Sequence, residues 1–495
     1  MIISPDRKDF STILNILGKL ILGLSLFMLI PLGVAIFKKE ISPFFDFLIG
    51  FSASACLGFL LVIIFPVKKE VGWVHAFFTV SVGWLIFSLL GAIPFYFSSH
   101  FLSFIDAWFE AMSGFTTTGL TLVQDLDHLS FSHNMWRHLT MFIGGQGIIL
   151  ASLSILTRAR SVALGFYVGE ARQEKILPNV IDTARFIWKV SFVYLILGVA
   201  TFFTILFYQG VSVSKSLFQA LWIFFASFDT GGFAPQSQNI AYYHSFPLEL
   251  ATVIFMILGA TNFNLHFWIW NKKKSEIFKN FEIKTFLFTL FSLMFILYFS
   301  FIGFGNQLTI FRKGFYQLIS AHTGCGFTNL ASGELSIFSA LSLLALTFAM
   351  MIGGGVCSTT GGIKLLRLGI IFKTFFTEIK RWMYPFKAVY KDRFHHLQDL
   401  ILSDKRIKGA YIFFAFFLFT YALGAVVAMC FGYSASFSLF ESVSATANVG
   451  LSVGLTNPAM PLTLKLIYMF QMWAGRLEFI SIFVSIGFII SLFKK

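Results

Sequence analysis

Residues 109–120 read FEAMSGFTTTGL, residues 222–233 WIFFASFDTGGF, residues 316–327 YQLISAHTGCGF and residues 440–451 FESVSATANVGL. Laid over one another on a single glycine (Gly119, Gly232, Gly326 and Gly450), the four stretches agree column by column. An aromatic residue stands ten places before each glycine, and an apolar residue follows it. Small residues stand six and five places before it: Ser113 and Gly114, Ala226 and Ser227, Ser320 and Ala321, Ser444 and Ala445. The glycines are 113, 94 and 124 residues apart, a spacing that fits one helix–loop–helix unit, and such self-similarity marks an internal repeat.

The pattern has a chemical reading. An ion leaving water loses its hydration shell, and rings of backbone carbonyls can replace it. Carbonyls line a narrow axis only if the backbone comes close to it in unusual dihedrals, and glycine permits both. A short helix ahead of each glycine turns the negative end of its peptide dipole to the axis, which favours a cation. The small residues let these helices pack closely. The filter segments are therefore expected at Thr116, Thr117, Thr118 and Gly119; Asp229, Thr230, Gly231 and Gly232; Thr323, Gly324, Cys325 and Gly326; and Ala447, Asn448, Val449 and Gly450. Ordinary glycine-rich external turns would explain one such loop, not four in register.

The surrounding sequence is that of a membrane. The 495 residues are 57% hydrophobic and 12% charged, against about 25% charged in soluble domains. Apolar runs long enough to cross the hydrocarbon core lie near residues 12–37, 43–66, 72–98, 136–157, 186–208, 247–270, 284–304, 335–375, 408–431 and 461–492. The four glycine stretches fall between an odd-numbered and an even-numbered run and are too short to span, so they read as re-entrant loops, with short pore helices near 103–123, 215–235, 310–330 and 434–455. The expected fold is all-α and polytopic: two leading helices in 1–70, then four repeats in 71–175, 176–280, 281–400 and 401–495. The net charge of +14 sits in loops on one side of this arrangement, among them Lys68–Lys69, Arg158–Arg160, Arg172–Lys175, Lys272–Lys274, Lys380–Arg381, Lys387–Arg393 and Lys405–Lys408. The positive-inside rule accounts for it and puts both termini in the cytoplasm; no nucleic-acid partner is implied. Cys56, Cys325, Cys357 and Cys430 are scattered without metal-ligand spacing, so neither a disulfide nor a zinc site is expected. There is no HExxH, GxSxG or phosphate-binding loop, and an enzyme is not expected.

The repeats resemble the superfamily of Trk, Ktr and HKT transporters, whose members carry one filter glycine per repeat. The loop from Phe115 to Thr121 and the segment HNMWRHLTMFIGGQGII (133–149) resemble the first repeat of TrkH-type subunits. GGGVCSTTGGIK (353–364) resembles the family's intramembrane loop in the third repeat, and WAGRLE (473–478) its fourth-repeat signature. Two extra leading spans favour the TrkH type over KtrB. The resemblance covers nearly the whole chain and implies potassium uptake through a channel-like pore in the bacterial cytoplasmic membrane, with coupling to protons or sodium as the alternative. It implies a homodimer with one pore per protomer and a cytoplasmic TrkA-like regulatory ring. That ring would bind any ATP, ADP or NAD; no cofactor beyond K+ is expected on this chain. A glycine rather than serine at Gly119 implies potassium over sodium. Asp229 and Cys325 depart from the threonine, asparagine or alanine expected in filter segments.

The resemblance makes the glycine-broken segment 353–362, with Gly353, Gly354, Gly355, Gly361 and Gly362, a flexible gate. Lys364 is expected to partner an acid or a filter-side carbonyl. Arg476 is read as mid-span, where a charge costs a few kcal/mol or more; by resemblance it is a barrier to cations beneath the filter, and otherwise a partner of Glu478. Glu110, Gln317 and Glu441 share a column nine places before the filter glycine, where the second repeat has Ile223. They read either as supports behind the filter or as solvated helix starts. Asp229 is expected to bond the filter backbone from behind, and His322 to pack there. Asp125, Asp127 and His128 read as a solvated turn.

Overall fold

The computed structural model describes residues 6–147, 160–170, 180–272, 275–300, 307–331, 333–383 and 392–492. The basic residues Arg158, Arg172, Lys175, Lys273, Lys274 and Lys387 lie outside them, as does the second half of the fourth apolar run. The first helix, Arg7–Lys38, begins ahead of its apolar run. The Asp6 carboxylate accepts from the backbone N–H of Lys8 and Asp9, and the Asp9 carboxylate accepts from that of Asp6. This reciprocal box satisfies donors that a helix start leaves open. Ile41–Ile64 returns antiparallel to it.

Four similar units follow. Their first helices are Trp73–Phe97, Val180–Tyr208, Phe281–Ser300 and Asp404–Cys430. Their short helices are Phe104–Phe115, Val213–Phe228, Gln307–His322 and Ala435–Thr446, each overlapping a stretch read as re-entrant, with the second and third starting two and three residues ahead of it. At 1.5 Å per residue, none is long enough to cross about 30 Å of hydrocarbon. The returning helices are Phe131–Gln146, Phe246–Ala260, Ala340–Met351 and Leu462–Arg476.

The returning helices correct the span reading. The runs 247–270 and 461–492 are not straight: Phe246–Ala260 turns by 100° into Phe263–Trp270, and Leu462–Arg476 by 107° into the helix that begins at Ile480. The run 335–375 stops at Met351 and resumes as Leu365–Met383. Among the described residues, six helices are long and apolar enough to span, or eight with each bent pair counted once. Each break lies beside a glycine. A Cβ on Gly144, Gly259 or Gly475 would lie 1.9, 1.8 or 2.0 Å from the carbonyl oxygen of Phe115, Phe228 or Thr446, so each returning helix touches the end of its unit's short helix backbone to backbone. In the third unit Gly353 stands in this column, against the carbonyl of Gly361.

One further element was not expected. Arg393–His396 and Gln398–Ile401 form an antiparallel hairpin, with Arg393 opposite Ile401 and a left-handed Leu397 at its turn. Phe394 packs on Phe281, with ring centroids 5.1 Å apart.

Candidate functional site

Each short helix ends in the same way. The N–H groups of Thr118, Gly231, Cys325 and Val449 return to the carbonyls of Ser113, Ala226, Ser320 and Ser444 over 2.8–2.9 Å, and those of Thr117, Thr230, Gly324 and Asn448 to Gly114, Ser227, Ala321 and Ala445. This is the Schellman ending, which requires a left-handed residue after the cap. Thr117, Thr230, Gly324 and Asn448 supply it, at φ +53°, +51°, +70° and +56°. Threonine is β-branched and rarely adopts that conformation, so the filter region stores backbone strain twice over.

Two residues later the chain is left-handed again, at Gly119, Gly232, Gly326 and Gly450 (φ +90°, +76°, +81° and +93°). These glycines close a ring. A Cβ on Gly119 would lie 2.4 Å from the Gly231 carbonyl oxygen, on Gly232 2.1 Å from that of Cys325, on Gly326 1.9 Å from that of Val449, and on Gly450 2.1 Å from that of Thr118. Each segment therefore abuts the next in chain order, and the fourth returns to the first. No side chain fits at any of the four positions without moving a neighbour's backbone.

The side chains of the filter segments turn to the scaffold. Thr116 and Thr323 hydroxyls donate to the carbonyls of Met112 and Ile319, and the Cys325 thiol donates to Ala226. Asn448 donates to the Thr118 hydroxyl and to the Met472 carbonyl. The Asp229 carboxylate accepts from the Gln146 side chain over 2.6 Å, a bond to the first unit's returning helix. His322 meets the Thr289 hydroxyl at 2.8 Å, behind the filter as expected.

The column of Glu110, Gln317 and Glu441 is fully buried, which excludes a solvated helix start. Glu110 accepts from the Thr121 hydroxyl and the Leu122 N–H and pairs with Arg137 at 2.8 Å. Glu441 accepts from the N–H groups of Val453 and Leu455 and the hydroxyl of Thr456. Gln317 reaches Thr328 and Asn329. All three tie the chain leaving the filter back to the helix entering it. Where Ile223 has no polar group to offer, Arg137 and His138 of the first unit bond the carbonyls of Ala234 and Phe233 instead. Asp127, read as solvated, accepts from the Ser237 N–H and hydroxyl, linking the loops of the first two units.

Space on the two sides of the ring is unequal. On one side a cavity of about 180 Å³ is lined by all four filter glycines. On the other, about 20 Å³ remains between Glu170, Thr360, Gly361, Lys364, Arg476 and Glu478, room for roughly one water. The segment 352–364 fills that side. Its ends pair as a parallel bridge between Ile352 and Ile363. Thr359 donates to the carbonyls of Phe228 and Gly259 and meets the Thr230 hydroxyl. Gly361 sits against Ala447 and Asn448, where a Cβ would lie 2.3 Å from the Ala447 carbonyl oxygen.

Arg476 is not mid-helix: it ends Leu462–Arg476 at the bend. Its guanidinium donates to the Thr117 hydroxyl at 3.2 Å, to the Thr359 carbonyl at 2.7 Å and to the Gly144 carbonyl at 2.6 Å. It thus joins a filter segment, the loop and the first unit's returning helix. Glu478 pairs with Arg367 rather than with Arg476. Lys364 donates to the Thr360 carbonyl at 2.6 Å, a carbonyl of the loop itself. Glu170, which the sequence did not single out, lines the same space. Among the described residues no cluster of His, Cys, Asp and Glu is arranged to hold a metal ion; the oxygens available at the ring are backbone carbonyls.

The family model described as TrkH, cation transport protein, matches residues 44–491. The chain belongs to the TrkH family. It is 33% identical to an uncharacterized cation transporter of Methanocaldococcus jannaschii, over 97% of this chain and 95% of that one. It is 29% identical to the Trk system potassium uptake protein TrkH of Escherichia coli K12, over 96% and 98%. The crystal structure of the potassium transporter TrkH from Vibrio parahaemolyticus superposes with a TM-score of 0.82 at 23% identity, covering 96% of this chain and 98% of that one. Family and fold agree with an all-α, multi-pass membrane protein, and a TrkH-family chain is a transporter rather than an enzyme.

Proposed function

We propose that this protein passes potassium ions down their electrochemical gradient through the ring formed at Gly119, Gly232, Gly326 and Gly450, and that segment 352–364 with Arg476 gates the path below it. The ring carries the reading: four glycines from four units, each against the carbonyl preceding the next glycine, leave backbone oxygens as the ligands nearest the axis. Relatives named as potassium uptake proteins support the choice of ion. An interior-negative membrane supplies about 2.3 kcal/mol per charge per 100 mV for uptake. Arg476 adds a positive charge on the narrow side, where it opposes a cation until the loop and the guanidinium move. The reading extends to a homodimer in a bacterial cytoplasmic membrane, termini inside, with a nucleotide-binding regulatory ring docked on the basic face.

The test is flux in liposomes containing the purified protein, comparing potassium, rubidium, sodium and lithium, with Gly119→Ser alongside. Potassium and rubidium flux with rejection of sodium, weakened in the variant, is the expected result. Flux that requires a sodium or proton gradient would replace the pore by a coupled symporter. No cation flux with the regulatory partner present would sink the assignment.

A further inference from the structure

Glu282 lies one residue into the helix Phe281–Ser300, far in sequence from segment 352–364, yet it holds that segment. Its carboxylate accepts from the Val356 N–H at 2.6 Å and from the Asn262 side chain at 3.1 Å, and the residue is 2% exposed. Most other anchors of the loop are backbone groups: Gly355 N–H to the Ala260 carbonyl, Thr359 N–H to Gly259, and Phe263 N–H to the Cys357 carbonyl. Glu282 and Arg476 are charged side chains from outside the loop that bond its backbone, and they grip it at opposite ends of the stretch from Val356 to Thr359.

The same carboxylate faces the hairpin. His396 Nδ1 is 3.9 Å from Glu282, His395 Nε2 is 3.0 Å from Glu276, and the Phe394 ring packs tilted against Phe281. Three consecutive hairpin residues thus grip residues 276–282. The helix they grip cannot slide freely, because a Cβ on Gly369 of the neighbouring helix would lie 2.5 Å from the Phe281 ring. The hairpin is seated on the turn that carries Glu282.

We propose that Glu282 is a positioning residue that latches segment 352–364 in its closed place through the Val356 N–H, and that hairpin 393–401 sets the latch. The proposal rests on the gate reading above, but its test has a separate readout. Cys357 lies inside the latched stretch, 2% exposed, with its thiol 3.1 Å from the Tyr167 hydroxyl, and it reports opening by its reaction with a thiol reagent. In full-length protein carrying Cys56→Ser and Cys430→Ser, Glu282→Ala is expected to raise the labelling rate of Cys357 about tenfold, the order of one lost hydrogen bond to a charged acceptor. Glu282→Gln retains an oxygen for Val356 and is expected to stay within about threefold of the parent. His396→Ala raises labelling less than Glu282→Ala. Cys325, fully buried behind the filter, stays unreactive throughout and shows that the core is intact. Unchanged Cys357 labelling in Glu282→Ala, or equal rises in the Ala and Gln variants, overturns the latch. Raised labelling with no rise in potassium flux upholds the latch and overturns the gate.

Discussion

At a filter glycine two separate restraints act on one residue. Gly119 is left-handed at φ +90°, and a Cβ there would press on the Gly231 carbonyl; the first restraint alone costs roughly 1–2 kcal/mol for an L-residue, while the second moves a carbonyl that the ring needs. Gly119→Ser is therefore expected to alter selectivity more than stability, because the displaced atom is an ion ligand on the reading proposed above. Behind the ring the reverse holds. Arg137 and Glu110 are both fully buried and paired, so Arg137→Met strands a carboxylate and is expected to cost about 3–5 kcal/mol, read as a loss of thermal stability in detergent. Glu110→Gln keeps an acceptor for Thr121 and Leu122 and should cost less. The filter glycines were legible because a repeat shows itself four times. The second glycine column, at Gly144, Gly259, Gly353 and Gly475, obeys the same alignment, lying 25, 27, 27 and 25 residues after the filter glycine. It was harder to see because these glycines sit within apolar runs, where glycine usually reads as mere helix packing. The partners of Arg476 lie in three distant segments, and no local pattern names them.

At the scale of elements, hydropathy located the short helices but missed the bends. A window of apolar residues gives the length of a run and not its direction, so a turn of 100° at Ala260 or 107° at Arg476 leaves no trace in it. The hairpin was missed for another reason. RFHHLQDLI (393–401) is short, polar and without clear alternation, and Phe394, buried against Phe281, anchors it to the helices. Its attachment has a pH dependence of definite sign. Glu276 and Asp399, the carboxylates on either side of the His395 ring, raise its pKa above the ordinary histidine value. The pairing therefore contributes fully below about pH 6.5, the unperturbed value, and is lost as pH rises through the raised one. Amide exchange of residues 393–401, corrected for the intrinsic rate, is expected to show protection falling as pH rises above about 6.5. His395→Gln should flatten that dependence; a slope unchanged in the variant would move the titration elsewhere.

Across the whole molecule, the ring is where the four units meet. Each filter segment is capped onto its own short helix, but its glycine rests on the next unit's carbonyl, and the last rests on the first. The carbonyls of Thr118, Gly231, Cys325 and Val449 therefore converge from four parts of the chain, and their partial negative charges repel one another unless a cation lies between them. On the proposed reading, occupancy of the filter is linked to the association of the units. A ligand that binds only the folded state stabilises it by RT ln(1 + [L]/Kd), about 2.7 kcal/mol at one hundred times Kd. Purified protein should melt at a higher temperature in potassium than in sodium at equal ionic strength, with the difference growing with the logarithm of potassium concentration. Gly119→Ser should shrink that difference without abolishing folding in sodium, since the short helices, their caps and the buried Glu110 and Glu441 networks remain. If the two salts gave the same melting temperature in the parent across a wide concentration range, the ring would not be a site that prefers potassium. Selectivity would then have to arise elsewhere along the path, with the narrow side at Arg476 as the next place to measure.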